Sequence, residues 1–415
     1  MEYGLIGEHL GHSFSKEIHE LRKKYTYEIC EIERTNLDTF MKEKTFKAIN
    51  VTIPYKQQVI PYLDYIDDKA LSIGAVNTIV NKNNKLYGYN TDYLGLKSLI
   101  TTNNISVKDK KVLLLGNGGT SKTARTVLKD LGVKEINIVD IIKNENVLTY
   151  EEAIKYHNDS EIIVNTTPCG MYPKNDDCPV DINLFEKLEA VVDVVYNPMK
   201  TTIVSNALKK GLKAVSGLYM LVAQAVYASN IFLSEEKTQN ELETEIERIY
   251  KIIKKQKENI VLIGMPSCGK TTIGQNLATI LNKEYLDTDN LIEETIKMPI
   301  KDFLTKENES GFRDIEEEII KEISKKNNKV ISTGGGIIKR KVNINRLKQN
   351  ATIIFIDRPL ELLQATSSRP LSSNKNDLEK LYNERYQIYK DSADIIIKND
   401  STIENVINNI LNEVK

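Results

Sequence analysis

Two glycine-rich turns, each directly after an unbroken apolar run, constrain the fold of this 415-residue chain more than any other feature. The turn at 116–119 follows the run at 111–115, and the turn at 264–271 follows the run at 259–263. An apolar run without alternation is typical of a parallel strand buried on both faces. A glycine turn between such a strand and a helix presents backbone N–H groups to phosphate. The sequence therefore predicts two phosphate-binding α/β units, about 150 residues apart.

Apolar runs elsewhere divide the rest of the chain. Short runs alternate with polar, helix-compatible stretches throughout, which predicts the α/β class. We predict an α/β substrate-binding domain over 1–100, closed by helices from 218–235, and a doubly wound dinucleotide-binding domain over 101–235. Residues 236–257 lack glycine and proline and repeat isoleucine at helical spacing, which predicts a helical linker. A phosphate-loop domain with a parallel sheet is predicted over 258–415.

Composition limits the partners. The formal net charge is -1, so the chain has no overall field that attracts nucleic acid or an anionic membrane. No apolar stretch approaches the ~20 residues that span a bilayer, and no signal segment opens the sequence. The four cysteines lack metal-ligand spacing. Because they are few and scattered, they favour a reducing compartment over a disulfide framework. We expect a cytoplasmic protein with small-molecule partners, in an oligomeric state that the sequence leaves open.

The N-terminal half carries seven short clusters in a fixed order. They are Gly11-His-Ser13-Phe-Ser15, Asn50-Val-Thr52-Ile-Pro-Tyr-Lys56, Gly74-Ala-Val-Asn77-Thr, Asn90-Thr-Asp92, Asn165-Thr-Thr-Pro-Cys-Gly-Met171, Asp193-Val-Val-Tyr196-Asn-Pro198 and Gly217-Leu-Tyr-Met-Leu-Val-Ala-Gln224. Together they resemble the shikimate dehydrogenase family over roughly residues 3–230. The resemblance implies that 3-dehydroshikimate is reduced to shikimate by a reduced nicotinamide dinucleotide. The residues do not exclude quinate as the substrate.

Shikimate is a small ring with one carboxylate and three hydroxyls, so its pocket needs short hydroxyl and amide groups. The resemblance implies that Ser13 and Ser15 hold the carboxylate. It also implies that Lys56, oriented by Asp92, gives the proton to the developing alkoxide. The remaining pocket residues implied by the resemblance are Thr52, Asn77, Asp92 and Gln224 on the ring hydroxyls, with Tyr196 and Gly217 lining the same pocket.

The first glycine turn reads Gly116-Asn117-Gly118-Gly119-Thr120 and is predicted to bind NADP or NAD. The resemblance adds Val194 to this cofactor site. Members of the family usually carry Asn-Arg-Thr after the next strand, where the arginine binds the 2′-phosphate of NADP. This chain has Asp140-Ile-Ile-Lys143, and an acidic residue there binds the ribose hydroxyls of NAD and repels a 2′-phosphate. We therefore predict that NADP preference is weakened or lost, unless Lys143 or Arg125 compensates.

The second glycine turn, Gly264-Met-Pro-Ser-Cys-Gly-Lys270-Thr271, is the full pattern of a nucleoside triphosphate loop. In such a loop the backbone N–H groups wrap the phosphates, the lysine neutralises charge, and the final hydroxyl binds Mg²⁺. The predicted ATP-binding residues of this loop are Ser267, Cys268, Gly269, Lys270, Thr271 and Thr272.

Five later clusters narrow the identity of the phosphate acceptor. They are Asp287-Thr-Asp289, Phe312-Arg313-Asp-Ile-Glu316, Thr333-Gly-Gly335-Gly336, Arg369-Pro-Leu371 and Arg385-x-x-x-Tyr389. With the loop, they resemble the shikimate kinase family over about residues 259–398. The resemblance implies that ATP phosphorylates shikimate at its 3-hydroxyl.

The same resemblance assigns roles around the transferred phosphate. Thr271 and, through water, Asp287 would hold Mg²⁺, and Asp289 would bind and orient the acceptor hydroxyl. Arg369 would bind ATP from a lid and stabilise charge on the transferred group. Family lids usually carry a further cation just before this arginine. Residues 363–368 contain none, which puts the affinity for ATP in question.

Two arginines and two glycines complete the predicted acceptor pocket. Arg313 and Arg385 would clamp the carboxylate of shikimate, because planar guanidinium groups suit carboxylates. Gly335 and Gly336 would let the backbone approach the ring. Because the product implied by the first half is the acceptor implied by the second, we predict a bifunctional shikimate-pathway enzyme. The alternative is one active half beside a silent regulatory or scaffolding module.

Overall fold

The computed structural model describes residues 1–11, 14–306, 309–364 and 374–414. The chain separates into two compact units, Met1–Lys254 and Lys255–Lys415, which are described one at a time. Both units are α/β, and both contain parallel sheets, so the predicted fold class is confirmed. No helix in the described ranges is long and apolar enough to cross a membrane.

The first sheet of the first unit is mixed. Its strands are β1 (Tyr3–Gly7), β2 (Glu28–Glu31), β3 (Ala48–Val51), β4 (Tyr65–Ile66), β5 (Thr78–Lys82) and β6 (Lys85–Tyr89), in the spatial order β2-β1-β3-β5-β6-β4. Its helices are α1 (Ser15–Glu20), α2 (Leu37–Glu43), α3 (Asp68–Ile73) and α4 (Thr91–Thr102). The antiparallel pair β5–β6 is closed by Asn83 and Asn84, with φ angles of 54° and 61°. Asparagine tolerates this left-handed conformation, which a two-residue hairpin requires.

The second sheet has five parallel strands in the order β11-β10-β9-β7-β8. Its elements are β7 (Lys111–Leu115), α5 (Gly119–Asp130), β8 (Glu135–Val139), α6 (Tyr150–Tyr156), β9 (Ile162–Asn165), β10 (Ala190–Asp193), α7 (Thr202–Lys209) and β11 (Lys213–Val215). Val112 and Leu114 belong to one core cluster, whereas Leu113 and Leu115 belong to another. This two-sided burial explains the unbroken apolar run. Because β7 has β8 on one side and β9 on the other, a crevice opens at its carboxyl end.

Two helices complete the first unit. One helix, α8 (Leu218–Leu233), spans most of the segment 218–235 that is predicted to close the substrate-binding domain. It packs on α1 and α4. The next, α9 (Gln239–Lys257), occupies the predicted linker. Its buried residues Leu242, Ile246, Ile249 and Ile253 join the same core cluster as α4 and α8. Up to Lys254 this helix is therefore a packed part of the first unit.

A buried ion-pair cluster fixes the start of α9. The side chain of Arg22, which is 1% exposed, lies 2.7 Å from Glu235 and 2.9 Å from Glu245. Lys237 also pairs with Glu245, at 2.6 Å. Since Glu235 follows α8 and Glu245 lies on α9, one guanidinium from the end of α1 joins three helical segments.

The second unit contains a single parallel sheet in the order β13-β14-β12-β15-β16. Its strands are β12 (Asn259–Ile263), β13 (Glu284–Asp287), β14 (Lys329–Ser332), β15 (Ala351–Asp357) and β16 (Ile395–Lys398). Its helices are α10 (Lys270–Leu281), α11 (Thr288–Ile296), α12 (Ile300–Lys306), α13 (Glu309–Ile323), α14 (Lys341–Lys348), α15 (Lys375–Ser392) and α16 (Ile403–Glu413). The central strand β12 is fully buried between β14 and β15, so the second glycine loop begins at the middle of the sheet.

We expect Arg22→Ala to destabilise the first unit by about 3 kcal/mol, because two partly buried carboxylates lose their buried cation and keep only the more exposed Lys237. Urea unfolding, monitored by hydrogen–deuterium exchange mass spectrometry, would measure the free energy of unfolding of each unit separately. The matched control is Arg34→Ala, which removes an ion pair with Glu8 in which the arginine side chain is 65% exposed. This control should barely change unfolding. Equal effects of the two variants would contradict the role given to Arg22.

Candidate active sites

A lysine–carboxylate pair is formed by residues that follow two strands of the first sheet, β3 and β6. Lys56 Nζ is 2.7 Å from Asp92 Oδ2, and both side chains are largely buried. Asp92 stands in the first turn of α4, whose start is fixed by the Asn90 side chain accepting the backbone N–H of Tyr93 at 3.1 Å. The ammonium is therefore held in place by a carboxylate that is itself anchored on a helix. This geometry suits a group that gives a proton to a nearby oxygen.

Two amide side chains predicted for the same pocket converge on Thr91. The buried Asn77 accepts the backbone N–H of Thr91 at 2.7 Å and donates to the Thr91 hydroxyl at 3.1 Å. The Thr91 hydroxyl lies 3.5 Å from Gln224 Oε1, which α8 supplies. Asn77 and Gln224 are thus brought to the start of α4, next to Asp92. Thr91 stands in the Asn-Thr-Asp cluster, but no sequence signal marks it as a site residue. Its role is to orient Asn77, and only the fold shows that the two residues meet.

The other predicted pocket residues lie on neighbouring segments. Ser15 is the buried first residue of α1, and Thr52 follows β3. Tyr196 packs edge-on against Phe14 with ring centroids 5.4 Å apart. Ser13 lies outside the described residues.

Close packing explains the glycine at position 217. A Cβ on Gly217 would lie 2.0 Å from the carbonyl oxygen of Val194, which no side chain could fit. Gly217 precedes α8, so this contact sets where α8 starts relative to the end of β10. Val194, predicted for the cofactor site, therefore lies against Gly217, which is predicted to line the substrate pocket.

The first glycine loop leaves open space above a helix N-terminus. Gly116 has φ +99°, and a Cβ there would crowd the Thr166 hydroxyl at 2.9 Å. By contrast, no described atom lies within 4 Å of a Cβ built on Gly118 or Gly119. Gly119 begins α5, and Thr120 is the second residue of that helix. The loop therefore presents free space to the positive end of a helix dipole, as a pyrophosphate requires.

Asp140 lies at the carboxyl end of β8, against this loop. Its Oδ2 accepts the backbone N–H of Asn117 at 2.7 Å, and its Oδ1 accepts that of Ile142 at 3.1 Å. The next residue, Ile141, is 86% exposed. An acidic group and an exposed apolar side chain therefore occupy the place where the family carries asparagine and arginine.

Both cations that could compensate at this position have other contacts. Lys143 Nζ pairs with Glu152. Arg125 donates from Nη2 to the Asn117 side chain at 3.0 Å. Lys143 is therefore paired with another carboxylate, whereas Arg125 binds Asn117, the residue whose backbone N–H Asp140 accepts.

In the second unit, the triphosphate loop curls around its own lysine. Lys270 Nζ donates to the carbonyl oxygens of Gly264 and Met265, both at 2.9 Å. Gly264 and Gly269 have φ of +150° and +92°, which glycine adopts without strain. The predicted residues Ser267, Gly269, Lys270, Thr271 and Thr272 line one cavity, whereas Cys268 is fully buried beneath the loop.

Asn399 supports the loop from below. This residue follows β16 and is 2% exposed, and its Nδ2 donates to the carbonyl oxygen of Cys268 at 2.7 Å. The Asn399 amide is also the nearest neighbour of a Cβ built on Gly269, at 3.3 Å. It was not predicted from sequence, because Cys268 and Asn399 are 131 residues apart. The only signal is a polar residue directly after a strand of the parallel sheet.

Two oxygen groups predicted to bind metal face each other beside the loop. Thr271 Oγ1 lies 3.3 Å from Asp287 Oδ2. Asp287 also caps α11, since its Oδ1 accepts the backbone N–H of Asp289 at 3.0 Å. A hydroxyl and a carboxylate are hard oxygen ligands of the kind that Mg²⁺ uses when phosphates and waters complete its shell. The residues present therefore fit the predicted metal.

The predicted acceptor residues line the same cavity of about 670 Å³. They are Asp289, Arg313, Gly335, Gly336 and Arg385. Arg385 donates to the carbonyl oxygen of Gly335 at 2.9 Å. A Cβ on Gly336 would lie 2.1 Å from an Arg313 nitrogen, so any side chain there would displace the Arg313 guanidinium. Arg369 and its lid lie outside the described residues.

Arg313 is held by two glutamates. Its Nη1 lies 2.9 Å from Glu316, which is buried, and its Nη2 lies 3.1 Å from Glu309. Burial raises the pKa of Glu316 above its usual value, although the charge of Arg313 opposes that rise. Glu316 stands in the Phe-Arg-Asp-Ile-Glu cluster, and sequence reasoning gave it no role. Its effect is to fix the guanidinium so that it faces the cavity.

The first unit holds a dinucleotide loop and a lysine–aspartate pair, and the second holds a triphosphate loop beside an arginine-lined cavity. These features define the class: an oxidoreductase unit joined to a P-loop phosphotransferase unit. Family models agree with this division. The model of the shikimate dehydrogenase substrate binding domain matches residues 5–79, and the shikimate kinase model matches residues 266–415.

Relatives and solved structures match the first unit. The chain is 42% identical over 247 residues to the shikimate dehydrogenase (NADP(+)) of Clostridium beijerinckii. The aligned region covers 55% of this chain and 91% of the relative. A chorismate mutase/shikimate 5-dehydrogenase fusion protein from Clostridium acetobutylicum is 35% identical, with a TM-score of 0.55 over 60% of this chain and 96% of that chain. Shikimate dehydrogenase 1 from Peptoclostridium difficile is 36% identical, with a TM-score of 0.54 over 60% and 98%. The chain belongs to the shikimate dehydrogenase family, and it carries a shikimate kinase domain at its C-terminal side.

We expect Asn399→Ala to raise the KM for ATP by about three- to tenfold, because the Cys268 carbonyl loses a buried hydrogen bond that shapes the loop. The KM for shikimate and the dehydrogenase activity should stay unchanged. Steady-state kinetics of both reactions in the same preparation would measure this. Asn405→Ala, an exposed position on α16, is the matched control. A rise in both kinase KM values, or no change, would contradict a role specific to the loop.

Proposed function

We propose that this chain catalyses two reactions of the shikimate pathway. The first unit reduces 3-dehydroshikimate to shikimate with a reduced nicotinamide dinucleotide, and the second phosphorylates the 3-hydroxyl of shikimate with ATP. The observation that carries the proposal is that shikimate dehydrogenase and shikimate kinase models match separate parts of one chain. The product of one reaction is then the substrate of the other.

In the reduction, the dinucleotide supplies the hydride when it is bound. Lys56 donates a proton to the oxygen that becomes the new hydroxyl, and Asp92, 2.7 Å away, keeps the ammonium oriented. Asn77 and Gln224 bind ring hydroxyls through amide groups whose orientation Thr91 sets. The ring carboxylate is bound by Ser15, with Ser13.

In the phosphorylation, Asp289 orients the acceptor hydroxyl from the start of α11. Arg313 and Arg385 bind the ring carboxylate, and Glu316 prevents Arg313 from turning away. Lys270 offsets negative charge that develops on the transferred group. Mg²⁺, held by Thr271 and through water by Asp287, would supply further charge neutralisation when bound with ATP.

The alternative of one silent half gains no support from the described residues. The Lys56–Asp92 pair of the first unit and the Lys270 loop of the second are both formed. The quinate alternative concerns the substrate of the first unit only. Quinate can therefore be tested as a competitor of shikimate in the dehydrogenase assay.

We also propose that NADP preference is weakened in this chain. The Clostridium beijerinckii relative is named as an NADP(+) enzyme. At the carboxyl end of β8, however, the Asp140 carboxylate repels a 2′-phosphate, and Ile141 offers no cation to bind it. The nearby lysine and arginine are engaged with Glu152 and Asn117.

The exchange Asp140→Asn with Ile141→Arg should shift the ratio of kcat/KM for NADPH over NADH toward NADPH by at least about tenfold, because it removes a repulsive charge and adds a phosphate ligand. Initial rates with each dinucleotide would measure the ratio. Asparagine can still accept the Asn117 N–H, so the loop should keep its shape. A wild-type enzyme that already favours NADPH strongly would contradict this proposal.

Separate sites predict separable losses of activity. Lys56→Ala should lower shikimate formation by about 100-fold or more while leaving phosphorylation intact, because it removes the proton donor. Lys270→Ala should do the reverse, because it removes the loop cation. Assays of both reactions on each folded variant would measure these losses. If either substitution disabled both reactions, the two-site proposal would be wrong.

A further inference from the structure

A tyrosine hydroxyl lies against the predicted metal-side carboxylate of the second unit. Tyr285 and Asp287 are two residues apart on β13, so their side chains leave the same face of the strand. The Tyr285 hydroxyl donates to Asp287 Oδ2 at 3.0 Å. None of the roles assigned above uses this hydroxyl.

Packing keeps the Tyr285 ring in this position. A Cβ built on Gly274, in α10, would lie 2.8 Å from the edge of the ring, so helix and ring are in close contact. The same helix is tied to β14 by the Ser332 hydroxyl, which donates to the carbonyl oxygen of Lys270 at 3.0 Å. The packed ring therefore holds the hydroxyl, as a donor, against Asp287.

Three donors from three elements orient the Asp287 carboxylate. Its Oδ1 accepts the backbone N–H of Asp289 at the start of α11, at 3.0 Å. Its Oδ2 accepts from Thr271 in α10, at 3.3 Å, and from Tyr285 in β13, at 3.0 Å. Thr271 is itself a predicted ligand, and the helix cap acts on the other oxygen. Among the described residues, Tyr285 is thus the donor to Oδ2 that would not itself bind the metal.

We propose that Tyr285 is a positioning residue for the divalent cation that accompanies ATP. Its hydroxyl fixes Asp287 Oδ2 toward Thr271, so that the two oxygen groups receive a hydrated cation without first reorienting. Hydrogen bonds to metal-binding carboxylates have this effect generally, and their loss weakens metal affinity. The proposal rests on the kinase function proposed above for this loop.

Tyr285→Phe tests the proposal because it removes only the hydroxyl. Isothermal titration of the full-length chain with ADP is performed once with excess Mg²⁺ and once with EDTA. We expect the Kd for ADP with Mg²⁺ to rise by about three- to tenfold, and the Kd without metal to stay unchanged. The matched control is Tyr386→Phe, which removes a similar bond, from Tyr386 to Asp357 Oδ2 at 3.1 Å, and should change neither value.

Each other outcome overturns the proposal. Equal weakening with and without Mg²⁺ would show that the hydroxyl supports the loop as a whole, and unchanged affinities would show that it has no role in metal binding. ADP binding needs no acceptor, so the result stands even if shikimate proves to be the wrong substrate. A wild-type chain that bound ADP under neither condition would overturn both this proposal and the kinase function.

Discussion

Both sites depend on the same constraint: a parallel strand in the interior of a sheet must satisfy its backbone on both edges and then end in solvent. β7 pairs with β8 and β9, and β12 pairs with β14 and β15. At the carboxyl end of each strand, the neighbouring chains diverge and the next helix starts. Glycines are required there because the turn uses backbone conformations and approaches that side chains prevent, as at Gly116 and Gly264. In the second unit, the predicted acceptor residues line the same cavity as the glycine turn.

The two units bind one proposed ring by different chemistry. In the first, uncharged amides lie near the partly buried Lys56–Asp92 ion pair, and Lys56 is proposed to give its proton when the hydride arrives. In the second, two guanidinium groups face a polar cavity that must also hold a triphosphate. Arg313 keeps its orientation through Glu316 and Glu309, so the cavity does not depend on the substrate to arrange it. Side chains whose bonding partners are fixed in advance reduce the reorganisation that catalysis requires.

The sequence allowed the fold class and both families to be predicted, because each depends on local patterns: unbroken apolar runs, glycine turns and short clusters. It did not allow Thr91, Glu316, Asn399 or Tyr285 to be assigned, because each acts through a second residue whose position only the fold determines. Asn399 reaches Cys268 across 131 residues, and Arg22 reaches Glu245 across 223. The Arg22–Glu245 pair also explains why residues 236–257, predicted as a linker, pack into the first unit up to Lys254. The domain limits and the individual site roles stay predictions.

One proposed ring compound, shikimate, connects the reactions of the two units, and a coupled assay can follow both reactions at once. The full-length chain is given 3-dehydroshikimate, a reduced nicotinamide dinucleotide, ATP and Mg²⁺, and dinucleotide oxidation and ADP release are followed together. We expect ADP to form only after reduction has begun and to approach one molecule per dinucleotide oxidised, with shikimate 3-phosphate as the product. Oxidation without ADP release, or ADP release that does not need the reduced dinucleotide, in a chain shown to be folded, would contradict this expectation.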